Sequence, residues 1–133
     1  SHPGGGRDGL RTGKRELLDY LQDILDAIES AESFVVDMDY TAFEADEKTN
    51  FAAVRALEIV GEASKKIPPD IRREYPDLPW REMAGMRDKL SHDYFGVNLQ
   101  RVFETVRRDL PPLRASIEKI VEKLKAAEGD RKG

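Results

Sequence analysis

The residue types that could support chemistry are concentrated in one short stretch, residues 87 to 97, which reads RDKLSHDYFGV. It contains the single histidine outside the N-terminal segment SHPGGG, together with an arginine and a tyrosine. An imidazole exchanges a proton near neutral pH, and a guanidinium binds a phosphate and stabilises negative charge that develops on it. This set favours cleavage of RNA, in which the substrate's own 2′-hydroxyl attacks the adjacent phosphorus and the protein supplies an acid, a base and a cation.

The spacing within this stretch restricts how its residues can cooperate. On a helix that turns about 100° per residue, Tyr94 returns to within roughly 20° of Arg87, whereas His92 lies about 140° around from Arg87. One straight helix therefore does not easily aim Arg87 and His92 at the same atom. Either the helix begins near Arg87, or the working site combines residues from two chains. A two-fold dimer would also supply a second His92, so that one imidazole acts as acid and the other as base.

Composition excludes several other classes of site. The chain has no cysteine and two histidines, and no cluster of histidines and carboxylates has the spacing of a ligand set. We therefore expect neither a metal nor a cofactor. The lack of cysteine fits a reducing cytoplasm, where we expect the protein to be located. No apolar run approaches the roughly 20 residues that a membrane-spanning helix needs, so we expect no membrane association.

Charge is distributed unevenly along the chain. The net charge is −4, but residues 1–47 carry four Lys/Arg against twelve Asp/Glu, whereas residues 81–114 carry seven against five. Because RNA binding depends on positive surface charge, a site for RNA is expected in the second region. The candidates for guiding RNA are Lys89, Arg101, Arg107, Arg108 and Arg114, although solvated helix surface explains each of these arginines at least as well.

Apolar spacing predicts helices throughout the chain. Apolar residues recur every three or four positions over 14–36, 46–67, 80–96, from Asn98 to the LPP triplet at 110–112, and again from Leu113 onward. The second helix is expected to bury Phe51, Val54, Leu57 and Val60. The proline-rich segment 68–79 allows only a short helix. We predict an all-α, up-and-down bundle of four main helices plus a short helix, with a helical domain over 14–124 between tails at 1–13 and 125–133.

Three blocks of the sequence resemble one known family. These are RALEIVGEASKKIP at 55–68, PWREMAGMRDKLSHDYFGV at 79–97 and VFETVRRDLPPL at 102–113. The second contains the pattern R-x4-H-x-Y, formed by Arg87, His92 and Tyr94, with the polar Asp88 after the arginine. In this order the blocks resemble the HepT-like branch of the HEPN superfamily over roughly residues 14–124.

The resemblance implies a function and a role for each motif residue. It implies a metal-independent endoribonuclease that is the toxin of a type VII-like toxin–antitoxin pair and dimerises so that two motifs share a composite cleft. Arg87 and His92 would be the catalytic pair, and Asp88 would support them. An MntA-like minimal nucleotidyltransferase would be the antitoxin and would transfer AMP to Tyr94, placing an anionic group near Arg87.

Other interpretations of the same residues remain open. The chain could be a non-catalytic helical dimer that binds and regulates a nucleotidyltransferase, or a module that binds RNA or a nucleotide without turnover. A lone histidine on a helix surface is commonly solvated or part of a cap. Arg55, Glu58 and Glu62 share one helix face, and an internal ion-pair network is favoured for them over a direct role in the site.

Overall fold

The structure, a computed structural model, describes the backbone of residues 5–92 and 98–132 and the side chains of residues 13–86 and 98–127. Every regular element in these ranges is helical, which confirms the predicted all-α class. The helices are α1 (Gly5–Phe34), α2 (Tyr40–Ala45), α3 (Glu47–Lys65), α4 (Pro69–Glu74), α5 (Trp80–His92), α6 (Leu99–Glu104) and α7 (Leu110–Lys132), with a π-helical turn at Thr105–Asp109 between α6 and α7.

The long helices pack around one apolar core. Helix α3 contacts α1 on one side and α5 on the other, and α1 also contacts α7. Each long helix is amphipathic, so its apolar stripe faces the centre while its charged residues stay in solvent. The largest fully buried side chains of these helices are Leu21, Ile24, Ile28, Val60, Met83, Leu110 and Ile117. In the part of the chain that the structure describes, no helix is long and apolar enough to cross a membrane.

A short helix that the sequence pattern did not predict connects α1 and α3. Helix α2 begins after Asp39, whose Oδ1 accepts a hydrogen bond from the Ala42 amide at 2.8 Å. Asp46 caps α3 in the same way by accepting from the Thr49 amide at 3.1 Å. Each aspartate satisfies an amide that the first helical turn leaves without a partner. Phe43 of α2 is fully buried, which fixes this connection to the core.

The sequence predicted that the proline pair at 111–112 would interrupt the helix that begins at Asn98. The structure shows no such interruption. Pro111 and Pro112 follow Leu110 in the first turn of α7, and neither has an amide proton to donate. The turn before them widens into a π-helix in which the Leu110 amide donates to the Thr105 carbonyl. Because a proline ring clashes with the carbonyl four residues earlier in an α-helix, this wider turn lets the helix continue.

The predicted burial of α3 is wrong at one position. Leu57 and Val60 are buried as expected and Val54 is partly buried, but Phe51 is 65% exposed. Phe51 lies two residues before the buried Ala53, which is about 200° around the helix from it. The side chain therefore projects from the opposite side of α3 to the core.

Candidate functional site

The backbone of α5 carries most of the predicted motif. Arg87, Asp88, Lys89 and His92 all lie in its last two turns. Their side chains, and Tyr94 as a whole, lie outside the described residues. Because Arg87 and His92 share one continuous helix, the alternative in which the helix begins near Arg87 does not apply: α5 begins seven residues earlier, at Trp80.

The start of α5 is held by an indole and by a proline. Trp80 is 6% exposed, and its Nε1 donates a hydrogen bond to the Tyr75 carbonyl at 2.8 Å. The Met83 amide donates to the Pro79 carbonyl at 2.9 Å, which closes the first turn. Met83 itself is fully buried. Trp80 therefore attaches the proline-rich connection to the core.

A single arginine ties that connection to the end of α3. The Arg72 guanidinium donates to the carbonyls of Ile67 at 3.0 Å, Ser64 at 3.0 Å and Lys65 at 3.1 Å. The last carbonyls of a helix lack intrahelical partners and carry partial negative charge, so a guanidinium both satisfies and neutralises them. Arg72 thereby fixes α4, and with it the point at which α5 starts, relative to α3.

The level of the motif on the bundle follows from these attachments. Helix α5 starts near the C-terminal end of α3 and packs back along it. From Trp80 to His92 the helix rises about 18 Å, and the same rise measured back from Lys65 on α3 reaches Ala53. The motif end of α5 therefore lies level with the N-terminal half of α3.

Asn98 begins α6 as predicted. Its side-chain oxygen accepts a hydrogen bond from the Arg101 amide at 3.1 Å, so Asn98 is the N-cap. The predicted RNA-guiding arginines Arg101, Arg107 and Arg108 are all exposed on α6 and the π-helical turn. The Arg107 guanidinium lies 5.4 Å from the centre of the Phe103 ring and donates to the Val35 carbonyl at 3.4 Å.

Arg114 serves the fold instead. Its Nε donates to Glu32 Oε1 at 2.8 Å, joining α7 to α1, and its Nη1 lies 3.4 Å from Glu118. The hydrogen bond and charge of Glu32 raise the pKa of Arg114 above its usual value. Arg101 and Arg108, by contrast, form no ion pair within the described residues, so their charge is available to an anionic ligand.

An open groove between α1 and α3 was not predicted from the sequence. It has a volume of about 430 Å³ and is lined by Asp23, Asp26 and Phe34 of α1 and by Arg55, Ala56 and Ile59 of α3. The expected ion-pair network does not include Arg55, which is exposed and forms no ion pair among the described residues. The exposed side of α3 follows from the position of its buried stripe, since Phe51 and Arg55 both lie outside that stripe.

Comparison with known proteins agrees with the motif. A model of the family described as ribonuclease HepT-like matches residues 24–120, which include the whole stretch from Arg87 to Tyr94. A probable ribonuclease HepT of Thermococcus cleftensis is 52% identical over 107 residues, covering 80% of this chain and 97% of that protein.

Two further relatives are also named as ribonucleases. A putative RNase of Methanocaldococcus jannaschii is 45% identical over 111 residues, which cover 84% of this chain and 96% of that protein. A putative RNase of Caldanaerobacter subterraneus is 41% identical over 106 residues, covering 80% and 95%. No solved structure matches the chain significantly. The family resemblance is confirmed, and the chain belongs to the ribonuclease HepT-like family.

Proposed function

We propose that this protein is an endoribonuclease that cleaves RNA without a metal ion and acts as the toxin of a toxin–antitoxin pair. The observation that carries the proposal is the family match over residues 24–120, which spans the R-x4-H-x-Y motif, together with relatives that are named as ribonucleases. The continuous helix α5 supports it by giving Arg87 and His92 a common rigid element.

The proposed reaction is transesterification within the RNA. A base removes the proton of the 2′-hydroxyl, whose oxygen attacks the adjacent phosphorus, and the bond to the 5′-oxygen breaks as an acid protonates that oxygen. The products are a 2′,3′-cyclic phosphate and a 5′-hydroxyl, and no water is consumed. His92 serves as acid or base, Arg87 binds the phosphate and stabilises its developing charge, and Asp88 orients one of them.

The position of the motif on α5 favours a shared site. Five residues separate Arg87 from His92, which is about 140° of rotation and about 7.5 Å of rise. Within one helix, Arg87 and His92 therefore occupy different angular positions. A two-fold homodimer supplies two of each, so that one His92 acts as base while the other acts as acid.

The toxin requires a means of control, and Tyr94 is the proposed target. An MntA-like nucleotidyltransferase antitoxin would catalyse attack of the Tyr94 phenol oxygen on the α-phosphorus of ATP. This step releases pyrophosphate and the phenolic proton and leaves AMP on the tyrosine. The anionic adduct, seven residues along the chain from Arg87, would compete with RNA phosphate for the guanidinium.

Digestion of RNA in excess chelator tests the ribonuclease. Wild-type protein of verified unmodified mass is compared with His92→Ala and Arg87→Ala, with Arg73→Ala as the matched control because Arg73 is an exposed arginine of α4 outside the motif. We expect wild type and Arg73→Ala to release 2′,3′-cyclic phosphate and 5′-hydroxyl ends, and both motif variants to lose activity with unchanged circular dichroism. Equal cleavage by His92→Ala would contradict the assignment.

The antitoxin is tested separately. Incubation with the nucleotidyltransferase and ATP should add the mass of one AMP to wild-type protein and none to Tyr94→Phe, and the adduct should abolish cleavage. A Tyr94→Phe variant that is still modified would move the target to another residue.

A further inference from the structure

The π-helical turn between α6 and α7 contains an arginine that is held in place and yet exposed. The Arg107 guanidinium lies over the Phe103 ring, 5.4 Å from its centre, within the range of a cation–π contact. Its Nη1 donates a hydrogen bond to the Val35 carbonyl at 3.4 Å. Arg107 as a whole remains exposed and forms no ion pair among the described residues. Its planar group is therefore supported on one side and open to solvent on the other.

The ring beneath Arg107 is itself fixed by other aromatic residues. Phe43, which is fully buried, lies 5.2 Å from Phe103 between ring centres, and Tyr40 lies 5.9 Å from it in an edge-to-face arrangement. The Tyr40 hydroxyl donates to Glu44 at 3.0 Å, which orients that ring in turn. Because the support is already rigid, a ligand that packs on Arg107 needs to order few side chains.

A guanidinium supported in this way is suited to a nucleic-acid base. Unpaired RNA bases stack on aromatic side chains and on the planes of arginine guanidinium groups. Proteins that bind single strands combine such stacking with positive charge that follows the phosphates. Arg101 and Arg108, on the same segment as Arg107, form no ion pair among the described residues and supply that charge. This segment therefore combines both components of a single-strand site.

Arg107 lies at the same end of the bundle as the motif. Phe34 is the last residue of α1 that lines the groove and Ala52 is the first of α3, so the end of α1 lies level with this part of α3. The motif end of α5 lies at about the same level, by the rise of α5 along α3. Val35 follows Phe34 and accepts the hydrogen bond from Arg107, which fixes Arg107 at this level.

From these contacts we propose that Arg107, supported by Phe103, is a stacking site for one base of the RNA whose phosphate the motif binds. The wide turn that carries Arg107 supports the proposal, since π-helical turns occur frequently at functional sites. The site rests on the proposed function, because RNA is the ligand that the motif would bring to this end of the bundle. It adds a contact with a base to a residue whose charge alone was considered in the sequence.

Binding of two matched probes tests the stacking site. Single-stranded oligoadenylate is compared with a ribose–phosphate chain of the same length that lacks every base, so the two probes share their phosphates and differ only in bases. Fluorescence anisotropy at one fixed salt concentration gives both Kd values in a His92→Ala background, which prevents cleavage. We expect oligoadenylate to bind at least about 5-fold more tightly, as for one stacked base. Arg107→Lys should lose most of this preference, because lysine keeps the charge without the planar group.

Two comparison variants separate stacking from charge and from folding. Arg108→Lys makes the same exchange at the next residue and should keep the preference for oligoadenylate, because Arg108 contacts no ring among the described residues. Phe103→Leu removes the ring beneath Arg107 and should lose the preference while Arg107 is unchanged. Circular dichroism and the urea midpoint report whether each variant is folded, and Arg107→Lys decides the outcome if Phe103→Leu does not fold.

The outcomes separate the stacking site from the ribonuclease. Equal binding of both probes by the parent protein would overturn the site. A normal preference in Arg107→Lys, with only a lower urea midpoint, would also overturn it, because Arg107 would then merely attach the π-helical turn to α1. A preference that depends on Arg107 in a protein whose unmodified wild type cleaves no RNA would leave the site standing and refute the ribonuclease. RNA cleavage by a protein without this preference would do the reverse.

Discussion

Arg72 provides the sharpest test of how the fold holds the motif helix. Its guanidinium donates three hydrogen bonds, two to the carbonyls of Ser64 and Lys65 in the last turn of α3 and one to the Ile67 carbonyl just after it; the bonds to Ser64 and Ile67 are partly buried. The two partly buried bonds contribute about 1 kcal/mol each, and the charge at a helix C-terminus adds roughly 0.3–1 kcal/mol. We therefore expect Arg72→Met to lower the free energy of unfolding by about 2–3 kcal/mol.

The neighbouring arginine makes a close control. Arg73 is exposed in the same turn of α4 and makes no hydrogen bond among the described residues. Arg73→Met removes the same charge and should change the free energy of unfolding by less than about 0.5 kcal/mol. Arg72→Lys keeps the charge without the planar fork and should lie between the two.

Urea unfolding at fixed protein concentration measures the difference, because the stability of any protein that self-associates depends on its concentration. The slope of unfolding free energy against urea should stay constant while the midpoint shifts, and Tm should fall by roughly 10 °C in Arg72→Met. If Arg72→Met and Arg73→Met unfold at the same midpoint, the carbonyl contacts do not hold the end of α3 and this account of α5 positioning is wrong.

Three further changes test other parts of the molecule. Met83→Ala removes a fully buried side chain of α5 and should cost about 2–5 kcal/mol in urea unfolding; a cost below 1 kcal/mol would contradict that burial. The pKa of Asp46 is lowered, mainly by the hydrogen bond from a backbone amide, so its cap is intact above the ordinary value of 3.8 and is lost as pH falls through the lower folded-state value. Asp46→Asn keeps the cap and should make stability less dependent on pH between 4 and 2, as followed by thermal unfolding. Arg101→Ala and Arg108→Ala, each in a His92→Ala background, should weaken RNA binding for all sequences and reduce the salt dependence of log K by about 0.7–1 each; unchanged salt dependence would make these arginines ordinary surface.

The sequence was sufficient for the elements and the family because both depend on local information. Apolar residues at helical spacing require a buried stripe wherever they occur, so the long helices and the burial of Leu57 and Val60 in α3 were predicted correctly. Caps such as Asn98 act within three residues and were predicted for the same reason. The motif from Arg87 to Tyr94 is likewise a local string, and its match to the family needed no coordinates.

What the sequence missed depends on partners distant along the chain or on context. The prolines at 111–112 were predicted to end a helix. In the structure they follow a π-helical turn, which is wide enough for the helix to continue through them. Phe51 read as core because it is large and apolar, whereas the register of α3, set by its contacts with α1 and α5, turns it outward. Arg114 donates a hydrogen bond to Glu32, which lies 82 residues away in the sequence, and no local pattern predicts such a contact.

The sequence by itself therefore determined which residues are available for chemistry, and the tertiary structure decided where they stand. The motif string places an arginine and a histidine on one helix, since helix formation is a local property. The packing of α5 against α3, through Trp80 and the carbonyl contacts of Arg72, decides that the motif end lies level with the N-terminal half of α3. That placement arises from burial of side chains from several helices at once, which is a property of the whole core rather than of any one segment.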